Sequence, residues 1–165
     1  MSLPYKLQKM NESDRKAVMR IFNYFAENSF AAYNESIVPD QVFDHLFSIS
    51  RGYMALTVRT ETDQVVGFAL LRPFHPADTF RRTLEVGYFI MPEHTGQGLG
   101  TKILDMFTER ARELGVEILM ASISSLNNQS LRFHQKHGFA ECGRFKNVGI
   151  KKGQRFDMVW MQKDI

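Results

Sequence analysis

The chain has 165 residues, enough for one domain with a full core and a cleft. Hydrophobic residues make up 44% and charged residues 24%, with a formal net charge of +3, the balance of a soluble globular protein. No uncharged apolar run nears the ~18 residues of a membrane span, the N-terminus MSLPYKLQKM lacks an apolar signal-peptide core, and a lone Cys142 excludes an internal disulfide, so a cytoplasmic protein is expected.

Tyr5 to Lys9 reads as a first strand. Asn11 or Ser13 can cap the helix that follows, because either oxygen accepts from free N–H groups of a first turn. Val18, Ile21, Phe22 and Phe25 recur at helical spacing, and this helix ends near Asn28. Ser29 to Pro39 is aromatic and irregular. Asp40 is placed to cap a second helix with Val42, Phe43, Leu46 and Phe47 on its apolar side, and Arg51-Gly52 ends it. Strands follow over Tyr53 to Arg59 and Val65 to Arg72, joined by a turn at Glu61 to Gln64. Pro73 to Arg82 is a polar loop. Leu84 to Met91 is the next strand, with Glu85, Gly87, Phe89 and Met91 on one face.

A glycine loop then leads into a helix that runs to about Leu114, burying Leu99, Ile103, Phe107, Ala111 and Leu114, and Gly115 stops it. Val116 to Ser122 is a strand, and Asn127-Asn128 caps a short helix to about His137. Strands over Phe139 to Val148 and Phe156 to Gln162 flank a turn at Gly149 to Gln154. The order β-αα-βββ-α-β-α-ββ predicts an α/β fold, a mixed sheet with helices on both faces, in a single domain over 1–165.

The stretch Thr95-Gly96-Gln97-Gly98-Leu99-Gly100 carries the chemistry. A strand, a glycine loop and a helix leave backbone N–H groups unpaired at a helix N-terminus, where the helix dipole favours phosphate. The Walker pattern fails, because Gly96 is followed five residues later by Thr101-Lys102. The dinucleotide pattern fails too, because Ile103 stands where its third glycine is required. The basic cluster Lys146 to Arg155 is either a solvated hairpin or an attractor of an anionic ligand. No nucleic-acid motif or continuous basic stripe is present, so no nucleic-acid partner and no membrane partner are expected. His75, His94, His134 and His137 lack metal-ligand spacing with a carboxylate, and no metal is expected.

The chain resembles the GCN5-related N-acetyltransferase (GNAT) superfamily. That family's [Q/R]-x-x-G-x-[G/A] loop corresponds to Thr95 through Gly100, with Thr95 at the opening Gln/Arg position. A second motif follows in order: Asn127, Ser130, His134 and Gly138-Phe139. Its phosphinothricin and methionine sulfoximine acetyltransferase branch is similar in the Phe133-His134 pair, in Arg81, Thr83 and Glu85, and in the run Gly143, Val148-Gly149, Lys151, Gly153, Asp157 and Gln162. The similarity covers essentially the whole chain. His75 stands where the branch commonly has an arginine after its Pro-Phe.

The resemblance implies the GNAT-like acyl-CoA N-acyltransferase fold, about seven strands and four helices, and transfer of an acetyl group from acetyl-CoA to a small-molecule primary amine such as an amino-acid analogue. The loop residues Thr95, Gly96, Gln97, Gly98, Leu99 and Gly100 would hold the diphosphate of CoA. The strand edge Tyr88, Phe89 and Ile90 would pair with the pantetheine arm, with Asn127 and Ser130 beside it. The ammonium must lose a proton, and Glu85 is the base candidate; its carboxylate could instead pair with Arg81 or Arg82. His134 stands where many members carry a tyrosine general acid: protonated it could deliver a proton to the thiolate, neutral it could relay the amine's proton in place of Glu85, and it could instead be an inward-facing histidine bonded to a backbone carbonyl. Phe30, Tyr33, Glu35, His75 and Arg81 are the acceptor-pocket candidates, each also readable as loop packing or a surface residue. A homodimer is expected. The alternatives are a protein or peptide N-acetyltransferase and a non-catalytic acyl-CoA sensor.

Overall fold

The computed structural model describes residues 4–165. Its strands are β1 (Tyr5–Lys9), β2 (Met54–Thr60), β3 (Val65–Pro73), β4 (Thr83–Ile90), β5 (Ile118–Ser124), β6 (Ala140–Lys151) and β7 (Gln154–Asp164). They form one seven-stranded sheet in the order β1-β2-β3-β4-β5-β7-β6. The helices are α1 (Arg15–Asn28), α2 (Val42–Ile49), α3 (Leu99–Glu113) and α4 (Asn128–Lys136). This is the mixed α/β sheet that the element order predicts.

The helix starts are set locally. Asn11 accepts from the Ser13 N–H at 2.9 Å, and Asp14 Oδ2 accepts from the Asn11 N–H at 2.9 Å. Asn11, not Ser13, is therefore the cap, in a reciprocal box on the 3-10 turn that leads into α1. Asp40 does not cap α2 with its side chain. Backbone carbonyls already take the first-turn N–H groups there, including the Asp40 carbonyl, which accepts from Phe43 N–H at 3.1 Å. Leu114 lies at the C-cap of α3 and is 40% exposed, so it leaves the expected buried stripe.

Strand alternation sends β4 side chains to two separate cores. Leu84, Val86 and Tyr88 face α3 and α4, with Leu99, Ile103, Phe107 and Leu119. Phe89 packs on the opposite core with Val18, Ile21, Phe25, Phe43 and Phe68, under α1 and α2. No helix among the described residues is long and apolar enough to cross a membrane.

The last hairpin differs from expectation. The turn is Lys152-Gly153, with φ of 50° and 74°, and β6 runs through Gly149 to Lys151. Two positive φ values in a two-residue loop match the right-handed twist of a hairpin. Gly149 is a strand residue whose missing side chain admits the Phe156 ring: a Cβ there would lie 2.1 Å from that ring.

The feature that makes a site is the parallel pairing of β4 with β5. It covers only Thr83↔Ile118, Leu84↔Leu119 and Glu85↔Met120. Beyond these residues β4 continues to Ile90 and β5 to Ser124 without pairing to each other. On its other side β4 stays paired to β3 from Leu84 to Ile90. The two strands therefore form a wedge, and the β4 backbone groups directed away from β3 open onto it.

Candidate active site

A cleft of about 750 Å³ fills this wedge. Eleven of the sequence-predicted residues line it: Tyr88, Phe89, Ile90, Thr95, Gly96, Gly98, Leu99, Gly100, Asn127, Ser130 and Phe30. Gln97 is on the same loop, exposed and outside the lining.

The mouth of the cleft is an anion seat. Gly98 precedes α3 at φ 75°, a left-handed conformation that costs a side chain energy, and no side chain caps the helix. The first intrahelical bond to this turn is Lys102 N–H to the Gly98 carbonyl at 3.1 Å. The N–H groups of Leu99, Gly100 and Thr101 are left without intrahelical partners, and all three residues line the cleft. Lys136 of α4 lines it too and adds a positive charge. His137 holds the two helices together: its Nδ1 donates to the Phe133 carbonyl at 2.8 Å and its Nε2 accepts from the Thr101 hydroxyl at 2.9 Å. Sequence reasoning missed Lys136, Thr101 and His137. The i+4 spacing of Phe133 and His137 was a usable signal for the last.

Asn127 caps α4, accepting from Ser130 N–H at 3.2 Å. Beneath this cap lies His134, 2% exposed. Its Nδ1 donates to the Ser130 carbonyl at 2.7 Å, and its Nε2 accepts from the Tyr88 hydroxyl at 2.7 Å. Burial lowers its pKa to about 4, against the raising effect of the Ser130 carbonyl, with the neighbouring His137 lowering it further. Tyr88 is likewise driven up by burial, well above the usual phenol range. His134 thus has the geometry of the alternative reading, an inward-facing histidine bonded to a backbone carbonyl. Burial favours the neutral imidazole, which lies outside the cleft lining and joins α4 to β4.

Glu85 is the last β4 residue paired to β5, so it stands at the apex of the wedge. It is 9% exposed. Its partner is neither Arg81 nor Arg82. Arg72, directly opposite on β3, donates Nη2–H to Glu85 Oε1 at 2.8 Å. Arg82 pairs with Glu117, and Arg81 donates to the Asp78 carbonyl at 3.3 Å. A Cβ built on Gly87, two residues along the same face, would meet nothing within 4 Å, so there is open space beside the carboxylate. Tyr33 reaches over from the α1–α2 loop: its hydroxyl lies 2.7 Å from Ser122 Oγ on β5, and its ring stacks on Phe156 at 5.8 Å. Burial raises the Tyr33 phenol, the Ser122 bond opposes this, and the Glu85 charge adds to it, which places the phenol within the field of that carboxylate.

The other acceptor candidates fall elsewhere. Glu35 accepts from the Lys152 N–H and so ties the loop to the β6–β7 turn rather than lining the cleft. His75 is exposed, accepts from Ala77 N–H at 3.1 Å and packs on Phe80 at 4.5 Å. His75 and Arg81 are engaged within their own β3–β4 loop.

A family model described as the acetyltransferase (GNAT) family matches residues 18–139. The chain belongs to this family. This GNAT acetyltransferase is 32% identical to the L-amino acid N-acyltransferase MnaT of Escherichia coli, over 92% of this chain and 88% of that one. It is similar to a solved ribosomal-protein-alanine N-acetyltransferase from Brucella melitensis, with TM-score 0.87, 33% identity and coverage of 97% and 99%. It is also similar to a phosphinothricin acetyltransferase from Sinorhizobium meliloti solved in complex with AcCoA, with TM-score 0.91, 25% identity and coverage of 98% and 89%. Among the described residues of this GNAT acetyltransferase, no group of three or more His, Cys, Asp or Glu side chains is placed to hold a metal ion.

Proposed function

We propose that this protein is an acetyl-CoA-dependent N-acetyltransferase whose acceptor is the primary amine of a small, amino-acid-like molecule. The observation that carries this reading is the wedge: a cleft with uncapped helix N–H groups at one end and Glu85 at its apex. The residues present fit acetyl-CoA. The N–H groups of Leu99, Gly100 and Thr101, with Lys136, suit its diphosphate, and the unpaired β4 edge at Tyr88, Phe89 and Ile90 suits its amide-bearing arm. When bound, acetyl-CoA supplies the activated acetyl carbonyl.

The chain's own residues do the rest. The wedge holds the acceptor against the β4 edge, which turns a bimolecular encounter into an oriented one. Glu85, beside the open space at Gly87, takes the ammonium proton, directly or through a water. The Tyr88–His134 bond fixes the β4 edge to α4 and keeps the cleft width constant.

The relatives support the substrate class unevenly. MnaT and the Sinorhizobium enzyme are named for small amino-acid-like acceptors, and the Brucella protein for a protein alanine. The bridge from Tyr33 to Ser122 over the Glu85 face favours the small molecule. We further infer a homodimer, supported by the exposed apolar side chains Phe145, Val148 and Ile150 on the outer strand β6, and a cytoplasmic setting, supported by the single thiol Cys142.

The test is CoA release with a panel of phosphinothricin, methionine sulfone, polyamines and short peptides. A small amino-acid analogue is expected to give the highest kcat/KM. Glu85→Gln is expected to lower kcat by about 10²-fold or more while acetyl-CoA binding is kept. Retention of full turnover in that variant would remove Glu85 from its role, and failure to bind acetyl-CoA would remove the cleft from its own.

A further inference from the structure

Two histidines near the end of α4 have different surroundings. His134 is buried, whereas His137, at the C-cap of the helix, is half-buried and lines the cleft. His137 Nδ1 lies 2.8 Å from the Phe133 carbonyl, which can only accept, so this nitrogen carries the proton. In the neutral ring Nε2 is then an acceptor, and the Thr101 hydroxyl donates to it at 2.9 Å. Thr101 stands in the first turn of α3, where its own N–H belongs to the anion seat. With its one hydroxyl proton engaged by the imidazole, it presents only lone pairs to a phosphate arriving there.

A proton on Nε2 reverses this bond. The imidazolium then donates on both sides, the hydroxyl accepts from Nε2, and its own proton is free to point at a phosphate oxygen. The ring also adds a positive charge beside Lys136 at the seat. The carbonyl end of α4 and the Phe133 ring, 4.2 Å away between centroids, attract that charge, as does Asp105, one turn beyond Thr101 on α3. The N–H end of α3 repels it, together with Lys136, Lys102 next to Thr101, and Lys163 of β7, whose Cε would lie 3.7 Å from a Cβ on Gly138. His134, held neutral by burial, adds no charge. A bound diphosphate offsets the repulsion, so binding of the anion and protonation of the ring reinforce each other.

We propose that His137 and Thr101 form a proton-linked latch on the diphosphate seat: the protein takes up a proton at His137 Nε2 as acetyl-CoA binds, and holds it less tightly as the pH rises. The proposal rests on the acetyl-CoA reading of the cleft.

The experiment is calorimetric titration with the acetyl thioester of 3′-dephospho-CoA, which lacks the phosphate monoester that itself titrates near about pH 6. Wild type, His137→Gln, Thr101→Val and Thr101→Ser are compared at about pH 6 and about pH 8, the range over which an imidazole changes charge. Two buffers of different protonation enthalpy report the protons taken up. The wild type is expected to bind at least about fivefold tighter at the lower pH, the small end of coupling between two sites, and to take up a fraction of a proton. His137→Gln binds equally at both and takes up none. Thr101→Val keeps only the part of the effect due to charge, and Thr101→Ser restores the whole. A purely structural His137–Thr101 contact would lower affinity alike at both pH values and leave proton uptake unchanged in Thr101→Val. That result would overturn the proposal, as would a wild type without proton uptake or a His137→Gln that keeps the wild-type pH effect. Should His137→Gln lose its circular dichroism signal, the difference in uptake between wild type and Thr101→Val decides the matter. Absence of acetyl-CoA binding by the wild type at either pH would overturn the reading of the cleft, and this latch with it.

Discussion

Burial holds the His134 imidazole neutral, with its pKa lowered to about 4. The unfolded chain takes up this proton near pH 6.5, whereas the folded chain takes it up only near pH 4. Between these values the unfolded state binds more protons. The stability present above about pH 6.5 is therefore lost as the pH falls toward about 4, by an amount of order 3 kcal/mol. Thermal melts between about pH 7.5 and pH 5 are expected to show a falling Tm, and His134→Gln should flatten that slope. An identical slope in the variant would assign it to another group. The Ser130-to-His134 spacing and the bond of an inward-facing imidazole to a backbone carbonyl were legible in sequence; the second bond of that ring was not. A spacing shows that two residues share a helix face. It does not show that both imidazole nitrogens are already bonded, and it gave no sign of Tyr88, which lies 46 residues away. Arg72 escaped for the same reason: its link to Glu85 is a register match between strands, invisible to a local pattern.

At the scale of elements, the α3 N-terminus depends on backbone shape. Gly98→Ala places a Cβ on a residue at φ 75°, where a non-glycine residue costs about 1–2 kcal/mol. The helix start is then expected to rotate out of that conformation and spoil the N–H seat. Calorimetric titration should show acetyl-CoA affinity falling about tenfold or more, with far-UV circular dichroism unchanged; unaltered affinity would show that the seat does not depend on this residue. The glycine loop was readable from sequence because its residue type, its flanking strand and its helix all agree. The last hairpin was not, because both its signals mislead. Gly149 looks like a turn residue but is a strand position under the Phe156 ring, and the true turn carries Lys152 where asparagine is the usual choice.

Across the whole molecule, the acceptor side is assembled from distant parts. Lys151, 1% exposed, donates from Nζ to the Ala32 carbonyl at 2.7 Å and to the Phe25 carbonyl at 3.4 Å. Burial lowers its pKa, the Lys152 charge adds to this, and Glu35 opposes it. The hairpin tip thus holds the loop that carries Phe30 and Tyr33. The outer strand β6 leaves Phe145, Val148 and Ile150 each more than half exposed, at 56%, 56% and 58%. Such an edge favours self-association unless it is covered or charged. Light scattering at about 10 μM is expected to give the mass of a dimer, and Val148→Glu with Ile150→Glu the mass of a monomer. A monomeric wild type would overturn the homodimer.

The wedge has a consequence for where this chain tolerates insertions. Its apex is the last β4–β5 pair, Glu85↔Met120, so the same peptide units that open the strands also place the carboxylate. An insertion between Thr83 and Glu85 shifts the base and the opening together. An insertion between Phe74 and Arg82 moves neither, since Pro73↔Leu84 and Arg72↔Glu85 re-establish the register immediately after the loop. That loop can therefore be lengthened or rewritten at constant chemistry, with the strand pair acting as a fixed ruler.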